Sequence, residues 1–183
     1  MSLARQHGAT LGKEVRRVLE AKLQAVRGPL RISFDQVALP LEQPPSREEL
    51  EKQVKGKDDD AARRAKKMLA KLDRGEKLPT SYSCPVAVWQ FGWDLTLVGL
   101  SGEVVVDYVP LLERALGPNK LWLAAYCNDV YGYLPSARLL REGGYETRGI
   151  YAGGMDRRFA AEAQDVLVEK VYELAKRVGR EVP

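Results

Sequence analysis

A few oxygen-bearing side chains draw attention by their placement. Glu103 follows Ser101-Gly102, directly after an apolar run at 95–100. Tyr131 and Tyr133 close the stretch that starts at Asn128, directly after a second apolar run at 121–127. Ligand sites in open α/β sheets form outside the carboxyl ends of strands. If the two runs are parallel neighbours, Glu103 and the tyrosine pair emerge on one edge. A carboxylate there can accept a proton or ligate a metal. Gly102 permits a tight turn or a close backbone approach, and a following helix N-terminus would hold Glu103 in its charged form. Position alone leaves a plainer reading open: Glu103 caps a helix, the tyrosines pack on a strand edge, and Gly143-Gly144-Tyr145 is a turn.

Other residue types limit the chemistry. The chain of 183 residues has one histidine, His7, so it holds no histidine-rich metal site of its own and no HExxH helix. Cys84 and Cys127 stand 43 positions apart, which fits no zinc spacing, and two cysteines make no disulfide framework. Both read as buried small hydrophobes. The net charge of +4 is unevenly spread. Residues 47–77 carry 11 basic and 8 acidic groups with signs interleaved and no aromatic residue, while residues 78–183 are net −2. A surface that tracks phosphates has one sign and stacking aromatics, so nucleic acid is not an expected partner. No apolar run reaches the roughly 18 residues of a membrane span. The start, Met1-Ser2-Leu3-Ala4-Arg5, lacks the apolar core of a signal peptide. The expectation is a cytoplasmic chain, or one whose natural N-terminus lies further upstream.

The elements that must position these residues are legible as follows. Residues 9–26 read as an amphipathic helix with Leu11, Val15, Val18, Leu19 and Leu23 on its stripe, stopped by Gly28-Pro29. Leu30, Ile32 and Phe34 alternate with polar residues as in a half-buried strand. Ser46-Arg47-Glu48-Glu49 fits a capping box. Gly56 and Asp58-Asp59-Asp60 then separate two helices, giving a charged helical hairpin over 47–77. Residues 86–91 and 95–100 flank Gly92-Trp93-Asp94 as a β-hairpin. The run 95–100 is apolar enough to be covered on both faces. A helix is expected over 104–116 with Pro110 disturbing it, then a strand over 121–127. Ser136 caps a short helix to about 141, residues 143–155 form a Gly-rich aromatic loop, and 156–178 is the last helix. Trp89, Trp93 and Trp122 are expected to pack in the core or the hairpin. The fold class is mixed α/β: a mixed sheet flanked by helices, with the charged hairpin inserted into a single domain.

Three segments carry a resemblance. They are Leu97-Val98-Gly99-Leu100-Ser101-Gly102-Glu103-Val104, the run from Trp122 through Cys127-Asn128-Asp129-Val130-Tyr131-Gly132-Tyr133 to Ser136, and Glu142-Gly143-Gly144-Tyr145-Glu146. In their order and spacing they resemble the C-terminal part of the catalytic domain of neutral/alkaline non-lysosomal ceramidases, and especially their ceramidase-like bacterial relatives. Arg5-Gln6-His7-Gly8 and Arg27-Gly28-Pro29-Leu30 resemble the same proteins more loosely. The resemblance implies a zinc-dependent hydrolase of N-acyl amides, with ceramide as the type substrate of sphingolipid metabolism. It assigns Glu103 and Tyr133 as zinc ligands and Tyr145, twelve positions after Tyr133, as the residue that contacts the scissile amide. Asn128 and Tyr131 fall in the same loop and are candidates for substrate binding. Ser101 stands where these enzymes usually have proline. The family's two histidine ligands have no counterpart here, and His7 lies in no matching motif.

The expectation is therefore the C-terminal portion of a larger catalytic domain, inactive alone. Its partner would be the missing N-terminal half or a separate subunit carrying the histidines, and the exposed fracture surface would favour self-association. The alternative is a non-catalytic binding or assembly module that keeps the family fold.

Overall fold

The computed structural model describes residues 2–148 and 156–183. Twelve elements are described. In chain order they are α1 (Ser2–Glu20), β1 (Leu30–Pro40), α2 (Arg47–Val54), α3 (Asp59–Asp73), β2 (Ser81–Phe91), β3 (Leu95–Leu100), β4 (Glu103–Val104), α4 (Tyr108–Leu116), β5 (Leu121–Ala124), β6 (Tyr133–Leu134), α5 (Ala137–Glu142) and α6 (Ala163–Arg177). The class is the expected one, mixed α/β with helices packed on a mixed sheet.

Four strands form the main sheet in the order β1-β2-β3-β5. β1 runs antiparallel to β2 from Leu30↔Phe91 to Pro40↔Ser81. β2 and β3 are the predicted hairpin, closed by Gly92-Trp93-Asp94, with Val86 opposite Leu100. The β3–α4–β5 segment is a crossover unit, so β5 lies parallel to β3 with Thr96 opposite Leu121 and Gly99 opposite Ala124. β2 begins at Ser81, five residues before the expected start, and carries Pro85. The β2–β3 ladder ends at Val86, so the missing N–H of Pro85 removes no bond to β3.

Because strand side chains alternate between faces, the sheet has two unlike sides. Val37, Leu39, Val86, Val88, Val98 and Leu100 point to one side and pack with Leu112, Leu116, Leu167, Val171 and Leu174 from α4 and α6. The other side carries Ile32, Phe34, Trp89, Leu97 and Trp122, cross-strand neighbours by register. No helix covers them among the described residues. β3 is thus covered on one face only, and Trp122 is 59% exposed, contrary to the expectation of a core tryptophan.

The capping box forms as read: Ser46 Oγ accepts from the Glu49 amide at 3.2 Å and Glu49 Oε2 accepts from the Ser46 amide at 2.7 Å. Leu50, Ala65, Met68 and Leu78 give the helical hairpin its own small core. Arg157 ties the hairpin to the sheet by donating to the carbonyls of Glu42 and Pro79, and Lys71 pairs with Asp156 at 2.5 Å. These bonds explain why α6 begins at Ala163 and not at 156. Asp156 and Arg157 are engaged with the hairpin, and Phe159 forms a bridge to Leu41. α1 starts at Ser2 and ends at Glu20, earlier at both ends than its apolar stripe suggests.

Candidate functional site

Site construction begins at the end of β3. Leu100 leaves the sheet, and Gly102 takes φ +76°, a left-handed conformation that costs glycine nothing. A Cβ there would lie 2.8 Å from Tyr131 Cζ and 2.9 Å from the Gly132 carbonyl oxygen, so no side chain fits. The turn is stitched to the loop after β5 by four backbone bonds. The Gly102 amide donates to Asp129 (2.8 Å), Glu103 to Gly132 (2.7 Å), Tyr126 to Gly102 (3.0 Å) and Cys127 to Leu100 (2.9 Å). Glu103 is thereby placed in β4, directly opposite Tyr133 in β6, in a two-strand parallel ladder.

Glu103 therefore lies in a strand and not at a helix N-terminus. α4 starts at Tyr108, where Pro110 falls in the first turn and its missing N–H breaks no helical bond. The local field on Glu103 comes from phenols. The Glu103 carboxylate acts on the phenols of both Tyr133 and Tyr126. The hydrogen bond to Glu103 is the main cause that pushes the Tyr133 phenol up to about 12, so it stays neutral at physiological pH. Tyr126 is raised for the same first cause. Tyr126 takes φ +59°, outside the usual range for a side chain of its size. Tyr145 packs edge-on against Tyr133, ring centroids 5.4 Å apart at 79°, and is 73% exposed. Glu103, Tyr133 and Tyr145 thus lie near one another on one rim, and Tyr126 joins them. Nothing in the spacing pointed to Tyr126, because its placement depends on a left-handed turn.

Asn128 and Tyr131 stand apart from this rim. Asn128 is exposed and holds φ +68°, a conformation that asparagine tolerates, in the turn leading to Asp129. Tyr131 is 3% exposed and lies beneath the Gly102 turn. Its hydroxyl is 3.2 Å from the Ser101 carbonyl, to which it donates, and 3.6 Å from Cys84 Sγ. Desolvation raises the Tyr131 and Cys84 pKa values, so both are neutral core groups. Tyr82 packs on Tyr131 with centroids 4.7 Å apart and donates a hydrogen bond to Asp129. Ser101 Oγ donates to the Pro85 carbonyl at 3.0 Å, which gives the serine at this position a buried partner that proline could not supply. The turn therefore rests on a polar, fully packed foundation.

The donor set can be weighed against zinc. Glu103 offers one carboxylate, while Tyr133 and Tyr126 offer neutral phenols. Among the described residues no group of three or more His, Cys, Asp or Glu side chains could hold a metal ion. His7 lies on α1, where every residue is exposed. A zinc site needs three or four good protein donors, so the described residues by themselves do not make one, and no catalytic step through a metal follows from them. The Gly-rich loop expected over 143–155 lies in part, from 149 on, outside the described residues.

No protein family, curated protein or solved structure compared with this chain gives a match.

Proposed function

We propose that the chain is the C-terminal portion of a zinc-dependent amidohydrolase resembling neutral ceramidase, inactive until a histidine-bearing segment or subunit completes its site. The observation that supports this reading is the rung Glu103↔Tyr133 with Tyr145 against the tyrosine. The three residues implied by the resemblance come from separate stretches of sequence, yet they share one open rim at the carboxyl ends of two parallel strands. Glu103 stands opposite Tyr133, and Tyr145 is exposed, so its hydroxyl can donate to a carbonyl oxygen brought to that rim. The substrate class would be an N-acyl amide, lipid-like if the resemblance extends to the acyl pocket.

The absence, among the described residues, of any group of three or more His, Cys, Asp or Glu side chains favours a second reading, a binding or assembly module with the same fold. One experiment separates them. The DNA upstream of Met1 is searched for a reading frame with two histidine motifs, and its product is expressed together with this chain. The amidase reading expects one zinc per complex and hydrolysis of a short-chain N-acylsphingosine, both lost in Glu103→Gln and Tyr133→Phe. Turnover that survives both substitutions, or stoichiometric zinc with turnover by this chain alone, overturns it. A folded complex without zinc supports the assembly module.

A further inference from the structure

Two apolar surfaces of this chain have no partner among the described residues. The first is the uncovered side of the main sheet. By register, Leu30, Phe91 and Leu95 form one row across β1, β2 and β3, and Ile32, Trp89, Leu97 and Trp122 form the next across all four strands. Phe34, Ala87 and Gly99 follow in a third. Ile32 and Phe34 are 57% and 53% exposed. Gly99 is part of the design of this surface: a Cβ there would lie 2.7 Å from the Trp89 ring, so its absence lets the indole lie flat on the sheet. A charged or polar residue would be expected at such positions on a solvated sheet face, and none occurs in these rows.

The second surface is the stripe of α1. Leu11, Val15, Val18 and Leu19 recur at helical spacing opposite Lys13, Arg16, Arg17 and Glu20. No residue of α1 is buried. A free 19-residue helix containing Gly8 and Gly12 is only marginally stable in water, because each glycine costs about 1 kcal/mol against alanine. The helix needs a surface to lie on. The segment after it is held at the β2–β3 turn: the Arg27 amide donates to Asp94 at 3.0 Å and Gly92 donates to the Pro29 carbonyl at 3.0 Å.

We infer that two copies of this chain form a symmetric dimer by exchanging arms, the α1 stripe of each copy lying on the open sheet face of the other. The sizes agree. At about 200 Å² for a large side chain, the half-exposed Leu30, Ile32, Phe34 and Trp122 offer on the order of 450 Å². Leu11, Val15, Val18 and Leu19 offer a similar area. Reciprocal exchange therefore buries on the order of 900 Å² per copy, close to the ~800 Å² per partner of a stable interface. A helix of 19 residues is ~28 Å long and spans the ~19 Å width of four strands. The surface is isologous, as a two-fold dimer requires. The inference stands apart from the zinc reading, since the Glu103 rim takes no part in it.

The test is multi-angle light scattering on the full chain, with far-ultraviolet circular dichroism as a check on folding. The expected result is a particle of twice the 20.4 kDa chain mass at micromolar concentration. Val15→Glu on the arm and Phe34→Glu on the sheet should each halve that mass while the core helices and sheet persist. Mixing the two variants should restore a dimer, because one arm and one face remain intact. Three outcomes would overturn the inference: a wild-type monomer up to about 100 µM, a dimer untouched by Val15→Glu, or a monomer whose α1 binds anionic phosphatidylserine vesicles instead. The last would make the basic amphipathic helix a membrane-surface element.

Discussion

Gly102→Ala is the substitution in which the turn's geometry can be put to a number. Two costs add. Alanine at φ +76° is in the left-handed region, worth roughly 1–2 kcal/mol. Its methyl would also stand 2.8 Å from the Tyr131 ring and 2.9 Å from the Gly132 carbonyl. Neither neighbour can give way easily, because one is backbone and the other is packed between the Tyr82 and Phe159 rings. Overpacking of this kind costs about 1–3 kcal/mol, so the total is about 2–5 kcal/mol. Gly75 is the matched control. It has φ +75° and nothing within 4 Å of the place a methyl would take, so Gly75→Ala carries only the backbone cost. At about 2–4 °C per kcal/mol for a chain this size, Gly102→Ala should lower the melting temperature by roughly 4–20 °C and Gly75→Ala by no more than about 2–8 °C. Differential scanning calorimetry reads both. Equal shifts for the two variants would refute the claim that close packing beneath the Gly102 turn fixes Glu103.

Further expectations follow from the supports of the site. Tyr82→Phe removes the hydroxyl that donates to Asp129; urea denaturation should show a loss of about 1–3 kcal/mol, since a partly buried carboxylate loses a partner. The Asp107 carboxyl is held below its usual range first by the Arg138 guanidinium and then by the Ser136 hydroxyl. Its folded pKa lies below its unfolded one, so its contribution is present above the unfolded value and fades as pH falls through the folded one. Asp107→Asn should flatten the acid limb of the stability profile measured by thermal melts. The purified chain alone should retain no stoichiometric zinc after dialysis, as read by atomic absorption, because one carboxylate and two neutral phenols are too few donors.

Much of the frame was legible because local chemistry and tertiary packing agree. The Ser46–Glu49 capping box, the Gly92-Trp93-Asp94 hairpin and the Ser136 cap each appear where residue type requires them. Residues 30–40 form a strand as read, but the side with Leu30, Ile32 and Phe34 is exposed, and Val37 and Leu39 on the other side are the buried ones. The failures share a different cause. Residues 95–100 look doubly buried, but apolar content does not tell a covered face from one left open, and Leu97 and Trp122 lie on the open one. Glu103 precedes a helix in sequence, yet the backbone bonds from the Asp129–Gly132 loop draw it into a strand first. Those bonds join residues some thirty positions apart, and no window along the chain contains both partners. Tyr126 was missed for the same reason. Tyr131 and Tyr133 are two positions apart and look equivalent in sequence; the β6 pairing sends Tyr133 to the rim, while Tyr131 packs beneath Gly102.

The pairing of Glu103 with Tyr133 is the claim on which the site depends, and the tyrosine's own titration tests it. Carbon-13 labelled tyrosine, assigned through Tyr133→Phe, can be followed by NMR from pH 8 into the alkaline range. A raised folded pKa means that the stabilising contact persists below the unfolded value near 10 and is lost as pH climbs through the folded one. The expected result is a Tyr133 midpoint at about 12 in the wild type, falling toward 10 in Glu103→Gln. A Tyr133 midpoint near 10 in both proteins would mean that carboxylate and phenol do not meet, and the half-site would be gone with them.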